Sequence, residues 1–383
     1  MKYLAVLGRQ PELSLAELRT LYDPAAKLIG PELALFNSTT PPQINRLGGT
    51  LKLARELPAP LMDFFVQLPA GKLTLGLSDY SRQASISSVR REAMKIKKIL
   101  VRHGRSVRIL ANNAPALSTA TCHHNQLGEK SGHLELIKLN QSWYLGCGVQ
   151  NITAYARRDQ ARPARDAKVG MLPPKLAQIL INLCGPLPSG SRLLDPFCGT
   201  GVVLQEAALI GYRPYGTDLN PRMVEYTARN LQWLKSSSLL RQFASSTSIS
   251  LLTKTEKFDI IQGDATNFVW TGQIDAVASE TYLGPPMSAP PAEIKLKTVK
   301  QECTAIILGF LKNIAPRINP GTPLALAIPA WLRPDGSYSR LNLLDEVQKL
   351  GYNVENIGQK NLLGLLYYRE GQIVAREIIV LRK

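Results

Sequence analysis

The sequence predicts an α/β protein whose C-terminal part is a seven-stranded mixed sheet, preceded by smaller α+β units. Three observations predict it. Residues 193–220 (LLDPFCGTGVVLQEAALIGYRPYGTDLN) read as strand, glycine turn, helix and strand, with acids at Asp195 and Asp218, 23 residues apart. Residues 365–381 (LLYYREGQIVAREIIVL) set Glu370-Gly371 between two apolar runs, a hairpin signal that would close the sheet with an antiparallel strand. A length of 383 residues with a 45% hydrophobic share exceeds one ordinary core and calls for two or three domains.

From the start of the chain, residues 2–8 alternate weakly as a strand. Ser14 and Glu17 then stand at capping-box spacing, which predicts a helix N-terminus at Ser14. Gly48-Gly49 breaks the structure and residues 51–54 resume it. Residues 71–78 alternate as a strand. Residues 88–103 space Val89, Ala93, Ile96, Ile99 and Leu100 for one apolar helical face, with Lys and Arg on the rest. A strand at 107–110, a helix beginning near 117–127 and an apolar strand near 134–139 follow. His123 and His124 are adjacent, so on a helix they point in different directions, and no third ligand lies at useful spacing. They read as polar surface, not as a metal site.

Charge narrows the partner. The net charge is +17, and residues 82–108 carry nine Lys/Arg against one acid, Glu92. Clustering of that kind is the footprint of a face that contacts phosphates. Arg90, Arg91, Lys95, Lys97 and Lys98 are the candidate RNA-binding residues. The longest apolar runs fall far short of the roughly 20 residues a membrane helix needs, and residues 1–9 lack a signal-peptide profile. Five cysteines without CxxC spacing exclude a zinc ribbon and suggest no disulfide framework, so a reducing cytoplasm is the expected location.

In the C-terminal part, residues 174–183 read as a helix and residues 193–195 as a short buried strand. The turn after it carries Gly199 and Gly201, where a backbone bends sharply or approaches a ligand. The helix that follows stops at Gly211, and a second strand delivers Asp218. In an open parallel sheet a nucleoside lies across the carboxyl ends of such strands, and an acid about 20 residues past the turn bonds its ribose. Two ligands compete. A dinucleotide needs three glycines and a helix N-terminus open to pyrophosphate, and the pattern stops at Gly199-Thr200-Gly201. S-adenosylmethionine has no phosphate and needs room for its amino-acid end beside Asp195 and Gly199, with Asp218 on the ribose. Residues 221–234 then read as a helix, 236–250 as a serine-rich insertion, 258–266 and 274–279 as strands, 323–328 as a strand and 341–350 as a helix.

DPFCGTG followed by GTDLNP resembles the cofactor segment of class I S-adenosylmethionine-dependent methyltransferases, particularly those acting on RNA guanines. LGRQPELSLAEL and RLGGTLKLA resemble the ferredoxin-like unit that precedes a THUMP RNA-binding domain in certain tRNA methyltransferases, and the strand–basic helix–strand–LSTATCHHNQL order resembles that domain itself. RRDQARPARDAKVGMLPPKLAQILINL is similar to the entry segment of the THUMP-bearing tRNA guanosine-N2 methyltransferases. The resemblance implies four parts: a ferredoxin-like unit at 1–60, a THUMP domain at 61–150, a linker at 151–170 and a class I methyltransferase at 171–383. It implies a cofactor site of Asp195, Pro196, Cys198, Gly199, Gly201, Asp218, Leu219, Asp264 and Ala265, no metal, and methylation of a tRNA guanosine at N2. Asp264 has a competing reading as the cap of the next helix. A small activating protein partner, needed by some members of the family, is compatible with the sequence but not demanded by it.

The expected catalytic tip departs from pattern. Amino-methyltransferases of this family end the fourth strand in an acid or asparagine, two prolines and an aromatic, whereas this chain has Ser279-Glu280-Thr281-Tyr282. Tyr282 holds the aromatic place, Ser279 stands at the acid position, and Glu280 could supply the carboxylate one residue later. Strand alternation would turn Glu280 to the opposite side unless the backbone bends. Three readings stay open: the same amine with a rearranged site, another target atom, or cofactor and RNA binding without catalysis. The first two are favoured, because the cofactor residues look intact. A DNA amino-methyltransferase is a rival reading, disfavoured by the basic THUMP-like region.

Overall fold

The computed structural model describes residues 1–58, 61–68, 71–166, 171–237, 258–358 and 364–383. The chain divides into two compact units, Met1–Thr153 and Ala154–Lys383. The serine-rich stretch expected at 236–250 lies outside the described residues from 238 onward.

The first unit is built on a sheet of β1 (Lys2–Leu7), β2 (Lys27–Gly30), β3 (Leu33–Asn37), β4 (Thr50–Glu56), β5 (Leu73–Asp79), β6 (Val107–Ile109), β7 (His133–Leu139) and β8 (Ser142–Val149). Among the described residues its order is β2-β3-β1-β4-β8-β7-β5-β6. The antiparallel β4–β8 pairing makes one continuous sheet of strands that the sequence assigns to the 1–60 and 61–150 parts. Helices α1 (Pro11–Leu21), α2 (Leu61–Val66), α3 (Ile86–Arg102) and α4 (Thr119–His124) complete the unit.

The α1 start differs from expectation. The helix begins at Pro11, whose fixed φ suits a first turn, with Gln10 ahead of it. Ser14 and Glu17 are therefore inside the helix and serve a tertiary contact. Glu17 is fully buried and its carboxylate accepts from the backbone N–H groups of Gly48 (2.8 Å) and Gly49 (2.9 Å). A Cβ on Gly49 would stand 2.5 Å from Ser14 Oγ, so only glycine admits this approach. In α3 four of the five expected stripe residues, Val89, Ala93, Ile96 and Leu100, are buried while Ile99 is only half-buried, and a Ser85/Ser88 capping box starts the helix at Ile86, two residues before the expected 88.

The second unit opens with α5 (Ile152–Gln160), whose first turn carries the boundary between the units and whose sequence reads as linker. Then come α6 (Pro174–Leu183), β9 (Arg192–Asp195), α7 (Val202–Ile210), β10 (Arg213–Asp218), α8 (Pro221–Ser236), β11 (Asp259–Gln262), β12 (Ala276–Glu280), α9 (Glu293–Ile314), β13 (Pro323–Leu332), β14 (Tyr338–Ser339), α10 (Leu344–Lys349), β15 (Asn353–Glu355), β16 (Leu365–Tyr367) and β17 (Val374–Arg382). The main path of the sheet is β11-β10-β9-β12-β13-β17-β15, with β14 and β16 off it. Strands β9 to β13 run parallel, and β17 lies antiparallel to β13. That is the seven-stranded mixed sheet the hairpin signal predicts. The apolar half of α9 packs Val299, Cys303, Ile307 and Phe310 against Leu324, Leu326 and Trp331 of β13. No described helix is long and apolar enough to cross a membrane.

This topology locates a site. From β9 the chain order runs one way to β10 and β11 and the other way to β12 and β13, so the reversal falls between the tips of β9 and β12. Ligands of open α/β sheets bind at such a point, outside the carboxyl ends of the strands.

Candidate cofactor and catalytic site

A cleft opens at the tips of β9 and β12. Asp166, Met171, Leu172, Asp195, Phe197 and Glu280 line it, together with the Cys198–Thr200 turn and Met223. Two acids organise the turn. Asp195, 2% exposed, ends β9 and accepts from Ser279 Oγ (2.5 Å) and from the N–H of Phe197 (3.2 Å). Burial pushes its carboxyl up to about 7; Ser279 and Phe197 pull it down, and the nearby charges of Asp218 and Glu280 push it further up. Asp218 ends β10 and accepts from the N–H groups of Gly199 (2.9 Å) and Asn220 (2.9 Å). Burial raises its pKa too, against those two donors.

Glycine is required at the turn for two reasons. Gly201 has φ of +80°, and a Cβ there would meet Thr227 at 2.8 Å. Thr227 in turn donates to the carbonyl of Gly199 (2.7 Å). One helical turn on, Asn230 Nδ2 donates to the carbonyls of Thr200 (2.8 Å) and Ala164 (2.9 Å), while its Oδ1 accepts from the N–H of Ala164 (3.0 Å). The entry segment is thereby stitched to the glycine turn. Arg158 adds a buried bidentate pair to Glu206 on α7, at 2.6 and 3.1 Å. The sequence signal for Thr227 and Asn230 was two polar residues on the face of α8 that buries Met223 and Leu231.

The structure brings together Asp195, Cys198, Gly199 and Glu280 in the cleft lining, with Asp218 bonded to Gly199 and Gly201 heading α7. Pro196 lends its carbonyl to Thr217 Oγ1. Leu219, beside Asp218, is 68% exposed and is not in the described lining of the cleft. Asp264 is engaged by the turn that follows it: Oδ1 accepts from the N–H and hydroxyl of Thr266, both at 2.8 Å, in the manner of its competing reading as a cap. Ala265 is buried.

At the fourth strand tip, Ser279 is fully buried and donates to Asp195, so its hydroxyl is spent beneath the cleft. Glu280 does reach the cleft, although alternation alone would turn it away. It is the last residue of β12, and Arg376 Nε of β17 donates to its carboxylate at 2.7 Å. Burial raises the Glu280 carboxyl against the pull of Arg376. Tyr282 packs half-buried against the core formed with α9, and it is absent from the described lining of the cleft. The aromatic in the lining is Phe197, edge-on to Phe310, which sequence reasoning missed.

Residues 162–265 match the family described as UPF0020: RMKL-like, methyltransferase domain. This segment carries the sequence of a methyltransferase domain. The cofactor of such domains is S-adenosylmethionine. The matched residues include β9, the glycine turn, Asp218 and the tip of β11. Among curated proteins, the chain is similar to the tRNA (guanine(10)-N2)-dimethyltransferase of Methanothermobacter thermautotrophicus, at 31% identity over 176 residues, 45% of this chain and 44% of the relative. It is also similar to the enzyme of the same name from Methanocaldococcus jannaschii, at 46% over 63 residues, 16% of this chain and 18% of the relative. The chain thus spans less than half the length of these curated relatives. A similar solved structure is TrmN from Thermus thermophilus, 19% identical over the whole of both chains with a TM-score of 0.46.

Proposed function

We propose that the chain transfers a methyl group from S-adenosylmethionine to the exocyclic N2 of a guanosine in tRNA, with a ferredoxin-like and THUMP-type first unit holding the RNA. The observation that carries the reading is the acid pair around the glycine turn, Asp195 and Asp218, on a sheet closed by an antiparallel strand. The residues fit the cofactor. Asp195 offers a carboxylate to a cationic amino-acid end, and each Asp218 oxygen, bonded once to backbone, keeps a lone pair for a ribose hydroxyl. The bound cofactor supplies an electrophilic methyl.

The chain's residues do the rest. A guanine amine is a weak nucleophile because its lone pair is delocalised into the ring, so orientation supplies much of the rate. Glu280, held by Arg376 at the cleft wall, is placed to accept an amine hydrogen and fix the nitrogen's direction. Phe197 and Tyr282 are the aromatics on which an extruded base would stack. The test is transfer of labelled methyl to unmodified tRNA, followed by nucleoside analysis. Glu280→Gln keeps size and loses charge, and is expected to cut turnover by 10²-fold or more, the scale of acid–base contributions, while cofactor affinity holds. Tyr282→Ala and Phe197→Ala separate the two stacking candidates: the true platform loses about 1–3 kcal/mol of base binding. Activity that survives all three substitutions would remove the fourth-strand tip from the mechanism.

The basic face of α3 is the RNA-binding surface in this reading. Arg91, Lys95 and Lys98 are exposed and Lys97 is half-exposed. Arg90 also donates to the carbonyl of Asn112 (2.9 Å), so part of its role is structural. Changing Arg91, Lys95 and Lys98 together to glutamine should reduce the slope of log affinity against log salt by about 1 per lost phosphate contact. Filter binding between low and moderate salt measures it, and a slope equal to wild type would leave α3 a merely solvated face.

A further inference from the structure

A second cluster of donors lies on the same edge of the sheet as the cleft, outside the residues described so far. Lys300 Nζ of α9 and Arg333 Nη2 at the end of β13 both donate to Ser339 Oγ of β14, each at 3.3 Å. Ser339 is 3% exposed, and its cross-strand partner is Trp331. Directly opposed residues of an antiparallel pair share a face, so the Trp331 side chain lies on the face where Lys300 reaches Ser339. The Trp331 indole N–H is buried and has no hydrogen-bond partner among the described residues. An ammonium, a guanidinium and a hydroxyl hydrogen therefore stand together, with Trp331 opposite Ser339 in the strand pair.

No acid forms an ion pair with this cluster among the described residues, although Asp335 feels the charge of Arg333. Neither Lys300 nor Arg333 belongs to an ion pair among the described residues. Asp335, in the turn between β13 and β14, has Oδ1 occupied by the N–H and hydroxyl of Ser337; those two donors, and then the charge of Arg333, hold its carboxyl below the ordinary value, so it offsets part of the Arg333 charge but none of that on Lys300. Glu302 of α9 faces Tyr282. Glu377 is engaged by Arg340 at 2.7 Å. Burial, and then the charge of Arg333, push the Lys300 ammonium down from its ordinary value. Two cations sharing one buried hydroxyl repel each other, and an anion would relieve that repulsion.

Position suggests which anion. The register pairs Glu280 with Ala327, so β13 runs on to Trp331 and Leu332 beyond the end of β12. At about 3.3 Å per residue, Trp331 lies roughly 13 Å past the level of Glu280. The loop after β12 passes beneath it: a Cβ on Gly284 would sit 4.0 Å from Trp331 Cζ2. The cluster thus flanks the loop that leaves the proposed catalytic strand, at the reach of the sugar-phosphate chain on one side of an extruded base. We propose that Lys300, Arg333 and Ser339 form an oxyanion site that holds a backbone phosphate of the RNA whose base enters the cleft at Glu280. The substrate in this inference rests on the function proposed above.

The experiment compares the full chain with a Lys300→Gln/Arg333→Gln double variant and with Ser339→Ala. Cofactor affinity by calorimetric titration reports folding of the second unit and should stay within about twofold of wild type. In RNA binding the double variant should lose one phosphate contact, a fall of about 0.7–0.9 in the salt slope. The KM for unmodified tRNA should rise about tenfold or more with kcat nearly unchanged, and Ser339→Ala should show a smaller change in the same direction. An unchanged slope in the folded double variant overturns the proposal. Equilibrium dialysis with inorganic phosphate separates the sources: saturable phosphate binding lost in the variant, with an unchanged RNA slope, assigns the site to a free anion and also overturns it. If wild type transfers no methyl to any tRNA, the functional reading fails, while the RNA salt slope still decides the site.

Discussion

Asp195→Asn is expected to weaken S-adenosylmethionine binding by at least about 30-fold. The substitution keeps an acceptor oxygen for Ser279 and for the N–H of Phe197, so local structure should survive. It removes the charge that, in the function proposed above, faces the cationic end of the cofactor, and truncating one side of a buried charged pair costs about 2–5 kcal/mol. The wild-type carboxyl also makes binding depend on pH. Burial raises it to about 7, so below that value it must first lose a proton to receive a cation, and affinity should fall roughly tenfold per pH unit. The asparagine variant should show no such slope.

Stability moves the other way. Between its ordinary value near 3.8 and about 7, the folded state holds a proton on Asp195 that the unfolded state has released. The raised pKa therefore contributes stability at low pH that is lost as pH rises through 7. Without cofactor, Asp195→Asn should be more stable than wild type at pH 8 and have a flatter profile across that window. Calorimetric titration from pH 5.5 to 8.5 measures the affinity effect, and chemical denaturation from pH 4 to 8, across the window in which the two states differ in protonation, measures the stability effect. A pH-independent wild-type affinity would mean that Asp195 is not the cofactor's counter-ion.

Arg158→Met is expected to destabilise the second unit by about 3–5 kcal/mol, the usual cost of breaking a buried pair from one side. Arg158 is 4% exposed and Glu206 1%. Glu206 accepts two hydrogen bonds from the guanidinium, whose Cζ lies 4.2 Å from the Tyr155 ring centroid. Without Arg158 the Glu206 carboxylate is left in the interior, where burial already pushes its pKa up. It must ionise unpaired or take up a proton, so the loss should shrink as pH falls. A double replacement, Arg158→Met with Glu206→Leu, should recover most of the stability, because the desolvation cost leaves with the charges. Urea denaturation of the three variants decides it; a single variant as stable as wild type would show that the pair contributes nothing.

Much of the second unit was legible in its sequence, for local reasons. The run from Leu193 to Asp218 encodes strand, turn, helix and strand through periodicity and through its glycines, with Gly201 at a φ of +80° where a Cβ would also meet Thr227 at 2.8 Å. The β16–β17 hairpin announced itself by Glu370-Gly371 between apolar runs. The apolar stripe of α3 was legible from its spacing at Val89, Ala93, Ile96 and Leu100, though not at Ile99, which is only half-buried. Less was legible where polar residues serve distant partners. Ser14 and Glu17 stand at capping-box spacing, yet the helix is capped at Gln10, four residues before Ser14; Ser14 bonds Gly49 and Glu17 bonds both Gly48 and Gly49. The stretch read as linker forms α5 because Arg158 finds a buried partner 48 positions away.

The sequence by itself determined the order of elements, the acids at the strand tips and the excess of positive charge, because each depends on neighbours within a turn or a strand. Tertiary structure decided what those acids do. Ser279 lies beneath Asp195 and spends its hydroxyl there, Glu280 is held at the cleft wall by Arg376 from a strand 96 residues on, and Tyr282 packs half-buried against the core while Phe197 takes a place in the lining. It also gathered Lys300, Arg333 and Ser339 from a helix, a strand end and a short edge strand. Their meeting rests on the β13–β14 pairing and the packing of α9, long-range contacts that leave no periodicity in the chain.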